Sequence, residues 1–128
     1  MTRPARRGAS RRLRAATGLV GALLAPVLLA GCANADAQNQ ARQACTHVGR
    51  ALALFARANA EPAGQSGPDL AASLAELRAA LPIAAVAAGQ SAQWQPLMTT
   101  LSESSRVPEA YLVHALSAEC ADANNPGL

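Results

Sequence analysis

Between residues 41 and 120 the apolar side chains recur three or four positions apart, and no segment alternates with period two. A helix, at 3.6 residues per turn, gathers such positions onto one face, whereas a half-buried strand needs every second residue. Ala41, Cys45, Val48, Leu52 and Phe55 fit this rule, predicting a first helix that ends near Asn59, with Asp36 as its cap. The stretch 61–68, Glu-Pro-Ala-Gly-Gln-Ser-Gly-Pro, is a loop by composition. Ser66 and Asp69 have the spacing of a capping box, with a shorter acid than usual. Leu70, Leu74, Leu77 and Leu81 form a second stripe, which Pro82 is expected to stop or kink. Ile83 to Ala88 reads as a short restart ended by Gly89. Trp94, Leu97 or Met98, and Leu101 predict a third helix with Pro96 in its first turn. Residues 102–106 form a polar turn, and Pro108 opens a fourth helix with Val113, Leu116 and Cys120 on one face. The expected fold is all-α, a small antiparallel bundle of about four helices.

Two of the three cysteines bear on that bundle. Cys45 falls early in the first helix and Cys120 late in the last, both on apolar faces. In an up-down-up-down arrangement those helices are antiparallel neighbours, so the two thiols meet at one end. An even pair in an oxidising compartment favours a disulfide over a reactive thiol or a metal ligand. Closing so long a loop is worth about 4.5 kcal/mol on the chain-entropy model. That matters in a small, alanine-rich domain, because each alanine buries little area.

The segment before the bundle has a different character. Arg3, Arg6, Arg7, Arg11, Arg12 and Arg14 lie in the first fourteen residues, followed by an uncharged stretch, 15–30, and then Leu29-Ala30-Gly31-Cys32. A positive region, a short apolar region and small residues at a cut describe a secretory signal peptide. A transmembrane span needs about 20 apolar residues, and this stretch is shorter and interrupted by Gly18, Gly21 and Pro26. The leader also carries the basic charge. Residues 32–128 hold five Arg against eight acids, and the whole chain has three aromatic residues, Phe55, Trp94 and Tyr111. Nucleic acid is therefore not an expected partner, since phosphate tracking needs basic runs and base stacking needs aromatics.

Leu29-Ala30-Gly31-Cys32 resembles the lipobox of bacterial lipoproteins. The resemblance implies that signal peptidase II cuts between Gly31 and Cys32 and that Cys32 carries a diacylglycerol, the only non-protein group expected. Two long acyl chains hold a protein to a membrane with on the order of 20 kcal/mol. Residues 1–31 are then a cleaved signal peptide, 32–36 a lipid-anchored tether, 37–123 the helical domain and 124–128 a frayed end. Ser10-Arg11-Arg12 touches the twin-arginine pattern, but Arg14 and Ala15 stand where that pattern wants hydrophobic residues, so the general secretory route is expected. The expected location is the extracytoplasmic side of the cell membrane. Residues 77–82, 93–94, 97–107 and 118–120 resemble small exported proteins of GC-rich actinobacteria, a group that lends this chain no catalytic residue.

No catalytic pattern stands out. His47 and His114 form no metal pair, and Ser102, Ser104 and Ser105 sit outside any Gly-x-Ser-x-Gly elbow. His47, Arg50 and Arg57 read as an outer charged face of the first helix, able to meet anionic headgroups or an acidic partner. Trp94 reads as core filling between helices. The densest polar cluster is the turn, so Glu103, Ser105 and Arg106 are the candidate binding residues. The expected role is a non-catalytic interaction or structural module at the envelope, meeting an envelope protein or a small ligand, with no metal. The alternative is a carrier of a small ligand or lipid in a hollow bundle core, which requires a cavity of about 300 Å³ or more.

Overall fold

A computed structural model describes the backbone of residues 25–125 apart from residue 63, and side chains from residue 34 onward. The Arg-rich leader up to residue 24 and the last three residues lie outside the described set, as do the side chains around Cys32. Four α-helices are present among the described residues: α1 (Ala25–Ala60), α2 (Gly67–Gln90), α3 (Gln95–Glu103) and α4 (Val113–Asn124). Short 3-10 turns at Ala92–Trp94 and Glu109–Tyr111 lead into α3 and α4. No strand occurs among the described residues, and the all-α bundle expected from the spacing is the fold.

Two helical hairpins make the bundle. α1 and α2 pack on each other along most of their length, and the shorter α3–α4 pair lies across them, α3 against α2 and α4 against α1. Small residues line the α1–α2 seam. Ala37, Ala41, Ala44, Val48 and Ala51 are buried on α1, and Ser73, Leu77, Ala80, Ala84 and Ala87 on α2. Both series run at spacings of four and three, the repeat that keeps one face of a helix against a partner. The larger side chains fill the space between the hairpins: Trp94, Leu97, Leu101, Leu112 and Leu116 are all buried. By length and composition α2 is apolar enough to cross a membrane, yet one face of it is spent on this seam.

Several expected features take another form. Leu52, Leu70, Leu74 and Leu81, assigned to the core faces, are only partly buried, and Phe55 likewise. Alanines hold the centre of the seam because closely approaching helices have room there only for small side chains. Pro82 neither stops nor splits α2, which is continuous through Gln90. Its missing N–H leaves the carbonyl of Arg78 without its helical partner, and both residues are on the exposed side of α2. α1 is already helical through residues 32–36, the stretch read as a tether, and Asp36 is not its cap. That stretch contains no Gly or Pro, and nothing in it interrupts a helix entering from Ala25. Ser66 does precede α2, but its side chain makes no capping bond. Its helical backbone, φ −70° and ψ −13°, differs from the extended conformation of a capping residue, and Asp69 is engaged by Arg57 instead. Pro108 opens a 3-10 turn, and α4 proper begins at Val113.

Candidate functional site

Cys32 lies on α1 five residues ahead of Ala37, the first buried residue among the described side chains. At the helical rise this is about 7–8 Å of rod. α2 and α4 both run antiparallel to α1, so their C-terminal ends lie at the same end as Ala37. At that end α1 is tied to α4 by two hydrogen bonds and the disulfide. Gln38 Nε2 and Arg42 Nε both donate to the carbonyl of Ala123, the latter at 3.2 Å. A guanidinium is well placed there, because unpaired carbonyls give a helix C-terminus a partial negative charge. The Cys45–Cys120 disulfide follows within one turn, with the two Cα atoms 5.4 Å apart. The pairing inferred from helix order and cysteine count is the one present.

The polar turn closes on itself. Arg106 Nη2 donates to Glu103 Oε1 at 2.6 Å, an exposed pair one helical turn apart. Ser105 Oγ donates to the carbonyl of Ser102 at 3.2 Å, Ser104 Oγ to that of Leu101 at 2.7 Å, and Ser102 Oγ to that of Thr99 at 2.7 Å. The serines thus bond back to carbonyls of the last turn of α3, where Leu101 O also accepts from the Ser104 N–H. Glu103 and Arg106 are together, whereas the Ser105 hydroxyl is committed to the backbone. The turn is a finished helix end with one ion pair on its surface, and its hydroxyls do not converge on a common point.

The charged residues of α1 are not a uniform outer face. His47 Nδ1 lies 2.6 Å from Glu76 Oε2 on α2, both side chains partly buried. Arg57 meets Asp69 on α2 through two nitrogens, Nη2 to Oδ1 at 2.6 Å and Nε to Oδ2. That contact holds the Asp69 carboxyl below the ordinary range and the Arg57 guanidinium above it. Two of the three residues therefore tie α1 to α2, leaving Arg50 exposed. Both partners are distant in sequence, so spacing along α1 gave no sign of them. His114 is exposed, and Trp94 is in the core.

Two acids on the last arm, Glu109 buried and Glu119 half-buried, went unmarked by motif. Glu109 is 7 % exposed. Its Oε1 is hydrogen-bonded to the Ser73 hydroxyl of α2, which also lies 2.8 Å from the Ala51 carbonyl of α1. Burial pushes the Glu109 carboxyl above its ordinary range, with the Ser73 bond opposing in part. On α4, Glu119 Oε1 accepts from Thr100 Oγ1 at 2.8 Å, while Oε2 is buried with no partner. Burial raises that carboxyl too, Thr100 opposes, and Asp122 adds to the rise. A signal for Glu109 did exist. Glu109, Leu112, Leu116 and Ala123 fall on one helical stripe, so extending the α4 face backward puts an acid on the buried side.

Ser73 is fully buried, so the neighbouring carboxyl does not make it a nucleophile that a substrate could reach. Among the described residues, no three His, Cys, Asp or Glu side chains gather closely enough to hold a metal ion. No protein-family model, curated protein or solved structure matches this chain.

Proposed function

We propose that the chain is the precursor of a lipid-anchored envelope protein, cut before Cys32 and held at the membrane by diacylglycerol on that thiol. The helical domain then acts as a non-catalytic interaction or structural module. The observation that carries this reading is Leu29-Ala30-Gly31-Cys32, placed directly after an uncharged stretch and an Arg-rich start. The Cys45–Cys120 disulfide supports it, since such bonds persist in oxidising, extracytoplasmic compartments. Arg106 and Tyr111, the latter 78 % exposed, stand five residues apart after α3 and belong to residue types enriched at protein interfaces. With Glu103 and Ser105 they are the proposed contact surface.

The test is an intact mass of the protein taken from the membranes of a lipoprotein-competent bacterium, before and after reduction and thiol alkylation. The expected species is residues 32–128 plus a diacylglycerol, with two thiols alkylated only after reduction. Cys32→Ser should lose the lipid and leave the detergent phase on partitioning. A wild-type chain that keeps residues 1–31, or lacks lipid, defeats the proposal. Capture of envelope neighbours by crosslinking should fall in an Arg106→Ala, Tyr111→Ala variant.

A further inference from the structure

The Ser73 hydroxyl stands between two oxygens with one hydrogen to give. It lies within bonding distance of the Ala51 carbonyl and of Glu109 Oε1. A carbonyl and an ionised carboxylate are both pure acceptors, so one contact would set two lone pairs against each other in a buried place. A carboxylic acid removes the conflict: Glu109 donates to Ser73 Oγ, and Ser73 donates to the Ala51 carbonyl. Each proton then has an acceptor, and α1, α2 and the last arm are joined by one chain of bonds.

Among the described residues, no cation forms a salt bridge to hold the ionised form. The elements packed on Glu109 carry Asp36, Arg42, His47, Arg50 and Arg57 on α1, Asp69, Glu76 and Arg78 on α2, Glu103 and Arg106 on the preceding turn, Tyr111 on its own turn, and His114, Glu119 and Asp122 on α4, with Arg42 bonded to the Ala123 carbonyl. His47 is paired with Glu76, Arg57 with Asp69 and Arg106 with Glu103. Arg50, Arg78 and His114 are exposed, and none of these groups forms a salt bridge to Glu109. Glu109 precedes Leu112, the first buried leucine of the arm, while the disulfide fixes Cys120 at the other end of α4. A charge at Glu109 thus acts on the end of the arm remote from the disulfide.

We infer that Glu109 is a proton-operated latch, holding residues 104–116 onto the α1–α2 hairpin when protonated and releasing them when it ionises, with Cys45–Cys120 as the pivot. The latch contributes fully below the ordinary glutamate range, about pH 4.3, and its contribution is lost as pH rises through the raised value of the buried carboxyl. Glu119 has the same sign, but it faces α3 next to the tethered Cys120, so a separate substitution distinguishes it.

The experiment is amide hydrogen exchange on the full chain between pH 4 and 8, corrected for the intrinsic pH dependence of exchange. Peptides covering 104–116 should open about tenfold more readily per pH unit between the ordinary and raised values, the slope for one linked proton. Peptides around Cys45 should not follow. Glu109→Gln keeps a donor for Ser73 and carries no charge, so its arm should stay closed across the range, while Glu119→Gln should retain the Glu109 response. A wild-type arm whose opening does not change with pH, or an equal response in Glu109→Gln, overturns the latch. A second measurement does not depend on the variant: the carbon-13 titration of the Glu109 carboxyl in the wild-type chain should have its midpoint above the ordinary glutamate range. A midpoint at or below that range overturns the proposal equally.

Discussion

Asp69 and Glu109 are both acids at contacts between elements, and their settings drive them in opposite directions. Asp69 gains the Arg57 fork and is favoured in its charged form, so its contribution is present above the usual aspartate range and fades as acid protonates it. That pair is exposed to solvent and screened by salt, and carries little weight. Glu109 is enclosed and faces a hydroxyl, and it favours the opposite condition. At this scale the backbone also constrains sequence at one point. Gly64 has φ +95° in the turn closed by the Gln65 N–H and the Pro62 carbonyl, with no atom near where a Cβ would stand. Gly64→Ala should cost about 1 kcal/mol in urea denaturation, all of it from the left-handed backbone conformation. A loss under a few tenths of a kcal/mol would show that the turn relaxes into another form.

Helices and their order were legible because the four-and-three spacing survives in every segment, but which face lies innermost was not. The eye goes to Leu70, Leu74 and Leu81, whereas Ala80, Ala84 and Ala87 lie deeper. Size biases a sequence reading toward leucine, although the line of closest approach between two helices selects against it. Ala84→Leu should therefore destabilise the bundle by about 1–3 kcal/mol, despite adding apolar area, because a packed seam has no room for three more carbons. Unchanged or raised stability would mean that the helices separate freely. Pro82 misled for a related reason. A proline costs an isolated helix roughly 3 kcal/mol, but α2 is held along its length by α1 and tolerates the loss. Pro82→Ala should restore the missing bond and raise stability by about 2 kcal/mol, read as a higher denaturation midpoint at unchanged slope. The candidate turn was legible as polar, but its internal bonding was not, because hydroxyls that end a helix and hydroxyls that bind a ligand have the same composition. His47 and Glu76 meet only because α1 and α2 fold together.

At the scale of the whole molecule, the disulfide spans a sequence separation of 75 and links the first helix to the last. The α3–α4 hairpin is short and rests on a modest leucine layer, so this covalent tie is a large part of what keeps four helices in one unit. Replacing both Cys45 and Cys120 by Ala should lower stability by about 2–4.5 kcal/mol, and reducing the wild-type protein should do the same. Loss of less than 1 kcal/mol would place the hold in packing alone.

The tie has a practical corollary for anyone handling the protein. Because α4 returns to the end from which α1 leads back to Cys32, a reporter fused after Asn125 emerges at the end of the bundle where the proposed lipid would be attached. A bulky fluorescent tag placed there would press on the Ala123 contacts with Gln38 and Arg42 and, if Cys32 carries the proposed lipid, crowd the membrane surface. The connection between Ala60 and Gly67 lies at the opposite pole, clear of every tie between α1 and α4. An epitope spliced into that connection is the labelling route that leaves the disulfide and the proposed attachment point undisturbed.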